Sequence, residues 1–341
     1  MKYMKKSFEG LDYYFSSNIE EGIILNANEA PYNPPKEVIA EYFARLKNIN
    51  FNRYPDMQNL RLCNAIAKRY NVKPENVTCG VGSDELLEVT FKSTLEKGDI
   101  VLSFSPSFSM YKVFADLEGA SFNEVLLDNE NNFPVDKMIS KINELNPKLV
   151  LICSPNNPTG AFLEKDDVIR IIKATKGLVI LDLAYIDFAK EDYTYIAMQY
   201  ENVIAFRTFS KAMALPSIRC GYAISNEDNI KMINCVKAPY SLSVPSQIMA
   251  EIAISNYDLY LEDIKEIINQ RDYVYNELKD DFQIFNSNAN FLFLKLNDEI
   301  YNDLLENKIY IRKMKNDMYR ISIGTKEENN ELLKVVKKHA K

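Results

Sequence analysis

The sequence predicts an α/β protein with a doubly wound, mostly parallel sheet and a second, smaller α+β domain. Short apolar runs alternate with amphipathic stretches through the first two thirds of the chain, and strand-like runs at helical spacing are typical of parallel sheets. The chain has 341 residues, 47% of them hydrophobic, and is therefore long enough to bury the cores of two domains.

The strands of the predicted sheet are short runs rich in aliphatic and β-branched residues. The amphipathic segment DELLEVTFKSTL follows the first run and predicts a helix. In sheets of this kind ligands bind beyond the carboxyl ends of the strands, so we expect functional residues directly after each run. The runs are VTCGV (77–81), DIVLSF (99–104), LVLIC (149–153), LVILD (178–182) and VIAF (203–206).

The C-terminal third has a different pattern. Two long segments with helical periodicity, 227–241 and 260–278, are typical of helices that connect two domains. Strand-like segments follow them: ANFLFLKL (289–296), IYIRKM (309–314) and YRISIG (319–324). We therefore predict an N-terminal arm over 1–28 that joins the small domain, a large domain over 29–240, and a small α+β domain over 241–341.

Composition argues against several classes of protein. The net charge is −7, and clustered Lys and Arg that would bind nucleic acid or an anionic membrane are not apparent. The opening MKYMKKSFEG is not followed by an apolar signal region, so we expect a cytoplasmic protein. The five cysteines form no CxxC pair and are expected to be reduced, buried thiols.

His339 is the single histidine and lies two residues from the C-terminus. Its position argues against Ser-His and Cys-His mechanisms and against most zinc sites, so no metal is expected. The chemistry must come from Lys, Tyr, Asp or Arg side chains, or from a cofactor.

One segment, RTFSKAMALPSIRCGYAIS (207–225), concentrates groups that suit a phosphorylated aldehyde. Lys211 supplies an amine that can form a Schiff base. Thr208, Ser210 and Arg219 supply hydroxyls and a guanidinium that can hold a phosphate. On this segment alone, a surface lysine is the competing interpretation.

Further segments make the pattern specific, because several of them follow predicted strands. Together with the lysine segment, they resemble the fold-type I enzymes that use pyridoxal 5'-phosphate (PLP), and in particular the histidinol-phosphate aminotransferase family, over nearly the whole chain. The segments are LNANEAPY (25–32), NRYPDMQ (52–58), VGSDELLE (81–88), CSPNNPTG (153–160), LDLAYIDF (181–188) and YRISIGT (319–325).

The resemblance implies a fold and a catalytic set. The fold is a large domain with a mostly parallel seven-stranded sheet and a small α+β domain, in a class I/II aminotransferase. Lys211 is implied to form the Schiff base and to carry the substrate proton, and Asp182 to pair with the pyridine nitrogen of PLP. Asn157 and Tyr185 are implied to hydrogen-bond the phenolic oxygen of the cofactor.

The resemblance also implies the remaining cofactor contacts. Gly82, Ser83 and Asp84 open a helix whose N-terminus suits a phosphate, although an ordinary helix cap explains the same residues. Phe108 is implied to stack on the pyridine ring, with Tyr111 as the other aromatic nearby. Tyr54 is implied to reach the phosphate of the neighbouring subunit, which predicts a homodimer.

Substrate binding is implied for four residues. Arg320 matches the arginine that clamps the substrate α-carboxylate, and a guanidinium suits a carboxylate bidentately. Arg312 is the candidate for a second anion, such as the substrate phosphate. Asn28 and Asn157 complete the set. The N-terminal arm departs from the family pattern, and Tyr13 or Tyr14 is a candidate for a phosphate contact there.

The implied reaction transfers an amino group between glutamate or 2-oxoglutarate and a small phosphorylated ketone, which for this family is imidazole acetol phosphate. The altered arm keeps open another phosphorylated ketone, such as dihydroxyacetone phosphate in a surface-polysaccharide or secondary pathway. A PLP decarboxylase of threonine or serine phosphate is a second alternative, and a non-catalytic binding protein is a third.

Overall fold

The computed structural model describes residues 21–129 and 131–340, together with Phe8 and Ile19. Tyr13 and Tyr14, which the sequence suggests for a phosphate contact, lie outside these residues.

Strands and helices alternate along most of the chain. The strands are β1 (Ile23–Leu25), β2 (Val77–Val81), β3 (Ile100–Ser105), β4 (Ser121–Leu126), β5 (Leu149–Cys153), β6 (Leu178–Asp182), β7 (Val203–Thr208), β8 (Cys220–Ile224), β9 (Ile284–Phe285), β10 (Phe291–Lys295), β11 (Ile309–Lys313) and β12 (Met318–Ser322). The helices are α1 (Lys36–Leu46), α2 (Leu60–Tyr70), α3 (Gly82–Thr94), α4 (Met110–Glu118), α5 (Val135–Leu145), α6 (Lys165–Ala174), α7 (Glu227–Val236), α8 (Val244–Ser255), α9 (Leu261–Leu278), α10 (Asp298–Glu306) and α11 (Lys326–Val336).

A seven-stranded sheet has the order β2-β8-β7-β6-β5-β3-β4. Strand β8 runs antiparallel to both of its neighbours, and the pairs from β7 through to β4 are parallel. The predicted mostly parallel seven-stranded sheet is therefore confirmed. The carboxyl ends of β2, β3, β5, β6 and β7 share one edge, and so does the beginning of the antiparallel β8.

Helices cover both faces of this sheet, as the doubly wound prediction requires. On one face, Leu86 and Phe91 of α3 pack with Phe114 of α4 in one buried cluster. On the other face, Met138 of α5 and Ile171 of α6 belong to a second buried cluster. The central strands lie between these layers, and β5 and β7 are buried along their whole length.

A second, five-stranded sheet has the order β1-β11-β12-β10-β9. Strand β1 pairs in parallel with β11, so the segment before the large sheet completes the sheet formed near the C-terminus. The other pairs are antiparallel. With α10 and α11, these strands form the smaller α+β unit that the sequence predicts.

The cysteines follow the expectation with one exception. All five are free thiols, and four of them are buried. Cys235 is exposed on α7, where the prediction of a buried thiol is wrong. Its helix packs through Ile230 and Ile233, so the position of Cys235 turns toward solvent.

Candidate active site

A cavity of about 500 Å³ opens at the carboxyl edge of the seven-stranded sheet. Residues from the turns after β2, β3, β5, β6 and β7 line it, together with the residue that precedes β8. Several segments far apart in sequence therefore meet at one place. The predicted site residues that line the cavity are Gly82, Ser83, Asp84, Phe108, Asn157, Asp182, Tyr185, Thr208, Ser210, Lys211 and Arg219.

Lys211 lies in the turn after β7. Its Nζ donates a hydrogen bond to the backbone carbonyl of Ala27 at 3.1 Å. Desolvation, with a further contribution from the positive charge of Arg320, lowers the pKa of Lys211 to about 8. An amine with this pKa is partly neutral near physiological pH, and a neutral amine can act as a nucleophile or a base.

Asp182 is the last residue of β6, and 5% of its surface is exposed. The hydroxyl of Tyr111 donates to its Oδ2 at 2.5 Å, and the backbone N–H of Ala184 donates to its Oδ1 at 3.2 Å. Burial raises the pKa of Asp182 to about 6, and both hydrogen bonds oppose that rise. The carboxylate lines the cavity and can accept a further donor from it.

Tyr185 follows β6 and is held by Asn28. The side-chain amide of Asn28 donates to the Tyr185 hydroxyl oxygen at 3.0 Å. Burial raises the pKa of Tyr185, so the hydroxyl keeps its proton at neutral pH. Asn28 itself is buried and is not among the residues that line the cavity. Its neighbours in sequence, Ala27 and Glu29, do line the cavity.

Arg320 on β12 contacts Asn157. Its Nη1 donates to Asn157 Oδ1 at 2.6 Å, and its Nη2 donates to the carbonyl of Asn26 at 2.9 Å. Because the amide oxygen of Asn157 accepts from Arg320, its NH₂ group remains as a donor. Arg320 is not among the residues that line the cavity, but it contacts Asn157, which is.

The turn from β2 into α3 forms the other end of the cavity. Gly82 has a φ of +76°, which favours glycine, and a Cβ at this position would lie 2.9 Å from Arg219 Nη2. Arg219 Nη2 also donates to Asp84 Oδ2 at 3.3 Å. The helix N-terminus and the guanidinium give this end a positive potential that suits an anion.

Two aromatic residues after β3 have different positions. Phe108 lines the cavity, as expected. Tyr111 lies beneath it, fully buried, with the two rings edge to face at 5.5 Å. The sequence shows that Tyr111 is near Phe108, but only the structure shows that its hydroxyl contacts Asp182. Sequence reasoning also missed Cys153 and Glu29, which line the cavity.

Two predicted residues lie away from the cavity. Tyr54 is 81% exposed and stacks on Tyr240, with 4.7 Å between ring centroids. Arg312 on β11 pairs in register with Arg320 on β12, and it is not among the residues that line the cavity. Because directly opposed residues on paired strands project to the same face, Arg312 lies on the Arg320 face of the sheet.

Two kinds of feature are missing from the described residues. No group of three or more His, Cys, Asp or Glu side chains is arranged to hold a metal ion within 21–129 and 131–340. Over the same ranges, every helix is too short or too polar to cross a membrane.

Known proteins share this sequence and architecture. The family model described as aminotransferase class I and II matches residues 20–336. A histidinol-phosphate aminotransferase from Ruminiclostridium cellulolyticum is 36% identical over 326 residues, which cover 91% of this chain and 90% of the relative.

Two solved structures have the same fold at lower identity. One is the histidinol-phosphate aminotransferase from Sinorhizobium meliloti in complex with PLP, with a TM-score of 0.89 and 21% identity, covering 100% of this chain and 99% of that one. The other is the L-threonine-O-3-phosphate decarboxylase from Porphyromonas gingivalis, with a TM-score of 0.80 and 18% identity, covering 93% and 98%. From the family model and the curated relative, this chain belongs to the class I and II aminotransferase family.

Proposed function

We propose that this protein is a PLP-dependent aminotransferase that moves an amino group between glutamate or 2-oxoglutarate and a small phosphorylated ketone. One observation carries the proposal: a buried carboxylate, a lysine of lowered pKa and a helix N-terminus beside an arginine surround one cavity. These are Asp182, Lys211 and the Gly82–Arg219 pair. Each matches a different part of a phosphorylated pyridine aldehyde.

The residues fit PLP at each of its polar groups. Gly82 approaches Arg219 so closely that a side chain at this position would crowd the guanidinium, leaving a cradle of backbone N–H groups for the phosphate. Ser83, Thr208 and Ser210 would add donors there. Phe108 would stack on the ring. When bound, PLP supplies an electron-withdrawing ring that stabilises negative charge at the substrate Cα.

Lys211 would attach the cofactor aldehyde and later move the proton between the substrate Cα and C4' of the cofactor. Its lowered pKa supports both roles, because a neutral amine is needed first as a nucleophile and then as a base.

The charge on the pyridine ring of PLP would be set by three residues, Asp182, Asn157 and Tyr185. Asp182 is a buried carboxylate that can keep a ring nitrogen protonated. Tyr185 accepts from Asn28, and Asn157 accepts from Arg320, so both residues retain N–H or O–H donors. Donors of this kind would stabilise an anionic phenolic oxygen.

Arg320 would bind the α-carboxylate of the amino donor, and Arg312 on the same face of the sheet would serve a second anion such as the substrate phosphate. Asn28, which donates to the Tyr185 hydroxyl, and Asn157 would complete the substrate-binding set. The curated relative is named for histidinol phosphate. We therefore propose imidazole acetol phosphate as the amino acceptor.

The assembly is proposed to be a cytoplasmic homodimer in which Tyr54 reaches the phosphate in the partner's cavity. Support comes from the exposure of large apolar side chains close to Tyr54 in the sequence, where Phe51 and Met57 are also exposed. The Tyr54 side chain is exposed in its own chain, and a residue that contacts a partner subunit must be exposed in this way. A monomer at micromolar concentration in analytical ultracentrifugation would contradict this proposal.

The substrate is tested with the enzyme in its pyridoxamine phosphate form, prepared with glutamate. It is mixed separately with imidazole acetol phosphate and with dihydroxyacetone phosphate, and the return of the aldehyde absorbance is followed. We expect a higher kcat/KM for imidazole acetol phosphate. The reverse order would support the second ketone, which the altered N-terminal arm favours.

The decarboxylase alternative rests on the fold that the chain shares with the Porphyromonas gingivalis enzyme. Incubating the PLP form with threonine phosphate or serine phosphate and measuring released carbon dioxide tests it. We expect no carbon dioxide above the level seen with Lys211→Ala. Steady release that needs no 2-oxoglutarate would replace the aminotransferase proposal.

A further inference from the structure

We propose that Tyr111 is a positioning residue: its hydroxyl keeps Asp182 ionised, so that the proton shared by Asp182 and the ring nitrogen of PLP stays on the nitrogen. This inference rests on the proposed function, because it concerns how Asp182 acts toward the cofactor. Tyr111 does not line the cavity, so its hydroxyl acts toward the cofactor through Asp182.

The geometry is that of a strong, buried hydrogen bond. Tyr111 is fully buried on the first turn of α4, and its hydroxyl lies 2.5 Å from Asp182 Oδ2. A hydroxyl bonded to an ionised carboxylate makes a shorter and stronger bond than one between neutral groups. The backbone N–H of Ala184 contacts the other carboxylate oxygen at the longer distance of 3.2 Å.

Asp182 depends on its hydrogen bonds, because burial and the negative charge of Asp84 favour the neutral acid. The carboxylate is buried, and burial without a partner disfavours the charged form. In the described part of the chain Asp182 has no ion-pair partner, whereas the negative charge of Asp84 acts on it from the start of α3. Of the two hydrogen bonds that Asp182 accepts, the one from the Tyr111 hydroxyl is the shorter.

The groups that face Asp182 come from every element packed against it. Burial raises the pKa of Tyr111 and of Cys153, and it raises the pKa of Tyr185, so all three stay protonated and uncharged. Tyr111 comes from α4, Cys153 from β5 and Tyr185 from the turn after β6. Near neutral pH, the hydrogen bonds from Tyr111 and Ala184 are therefore what favours the ionised form of Asp182 beside a bound ring nitrogen.

The variant Tyr111→Phe removes the hydroxyl and keeps the ring that packs edge to face on Phe108. The matched control is Tyr193→Phe. Tyr193 is also fully buried, and its hydroxyl donates to the carbonyl of Leu163 at 3.3 Å without lining the cavity. Both variants lose one buried hydrogen bond, but only Tyr111→Phe loses a donor to Asp182.

The measurement is nitrogen NMR of the holoenzyme loaded with PLP labelled at the ring nitrogen, recorded across neutral pH. Wild type and Tyr193→Phe are expected to show a protonated nitrogen. Tyr111→Phe is expected to shift toward the unprotonated signal, and its half-reaction with glutamate to slow by roughly tenfold, the size expected for losing a hydrogen bond to a charged group. A nitrogen signal in Tyr111→Phe equal to that of wild type would overturn the inference.

Two further results complete the test. If Tyr111→Phe does not fold, Tyr111→fluorotyrosine keeps the shape and makes the hydroxyl a stronger donor, so at neutral pH the ring-nitrogen signal should lie at least as far toward the protonated position as in wild type. A signal displaced toward the unprotonated position would reject the role of Tyr111. If the nitrogen is unprotonated in wild type as well, the proposed role of Asp182 fails together with the inference.

Discussion

At the scale of single residues, burial moves two ionisable groups of the site in opposite directions. Burial raises the pKa of Asp182 to about 6 and lowers the pKa of Lys211 to about 8. Both values lie close to neutrality, where a small change in surroundings changes the protonation state. The cavity therefore holds an amine and a carboxylate whose protonation states depend closely on their surroundings.

The lowered pKa of Lys211 predicts how the apoenzyme captures PLP. Because only the neutral amine attacks an aldehyde, the capture rate should rise with pH through about 8 and then level off. An ordinary lysine would continue to gain reactivity up to about 10.4. Stopped-flow absorbance at a series of pH values measures this, with Lys211→Ala as the blank. A rise that continues well beyond pH 8 would contradict the buried environment.

The two arginines of the paired strands should have separate roles. Arg320→Lys loses the contact with Asn157 and the fork that suits a carboxylate, so KM for glutamate should increase by roughly ten- to a hundredfold. Arg312→Lys is the matched control on the neighbouring strand, and we expect it to change KM for the phosphorylated ketone and not for glutamate. Steady-state kinetics with each substrate distinguish the two, and equal effects on glutamate would reject the assignment.

Motif residues were predictable from the sequence because each lies at the carboxyl end of a strand or in the turn that follows it. Lys211, Asp182 and Asn157 are examples, and all three line the cavity. The contact of Tyr111 with Asp182 was not predictable, since it joins residues 71 positions apart and depends on the packing of α4. Asn28 shows the same limit, because its motif does not reveal that its side-chain amide donates to the Tyr185 hydroxyl.

At the scale of elements, the turn between β2 and α3 depends on a glycine. Gly82→Ala should weaken PLP binding by roughly tenfold, because a Cβ would lie 2.9 Å from Arg219 Nη2 and because a left-handed φ costs an alanine about 1–2 kcal/mol. The control is Gly98→Ala. Gly98 has a φ of +93° and nothing within 4 Å of the added Cβ.

Fluorescence titration of each apoprotein with PLP measures the two dissociation constants. Gly98→Ala should match wild type, although its stability falls for the same backbone reason. Equal losses of affinity in both variants would show that backbone strain, and not crowding of Arg219, is the cause.

Two strands of the seven-stranded sheet, β4 and β8, were not predicted from the sequence. Strand β4 is an edge strand with polar residues and several exposed positions, so it lacks the apolar run that marks a buried strand. Strand β8 is the short run CGYAI within the lysine segment, and its glycine weakens the strand pattern. Gly221 in β8 reflects a tertiary constraint, because a Cβ there would lie 2.3 Å from the backbone nitrogen of Ser83.

At the scale of the whole molecule, a buried ion cluster joins the large sheet to the segment that leads into α9. Arg207 on β7 donates to Asp187 at 2.6 Å and to Asp192 at 2.7 Å, and the hydroxyl of Tyr257 donates to Asp187 at 2.6 Å. Arg271 of α9 donates to the carbonyls of Phe188 and Ala289, both at 3.3 Å. These contacts span the proposed division between a domain over 29–240 and a domain over 241–341.

Breaking the cluster should cost much of the stability of the fold. Arg207→Met leaves Asp187 buried without its cation, and loss of one partner of a buried ion pair costs about 3–5 kcal/mol. Denaturant unfolding of the apoenzyme measures the change. Arg170→Met removes a solvent-exposed pair and should leave the unfolding curve unchanged. Equal curves for the two variants would show that the buried cluster contributes nothing beyond a surface pair.

The central claim is that Lys211 carries out amino-group transfer on PLP in this cavity. The most direct test mixes the PLP form of the enzyme with glutamate alone and follows the conversion to pyridoxamine phosphate by absorbance, with 2-oxoglutarate measured in parallel. Wild type should produce both in equal amounts, and Lys211→Ala should slow the reaction by at least roughly a hundredfold. No conversion in wild type, or equal rates in the two proteins, would contradict the account.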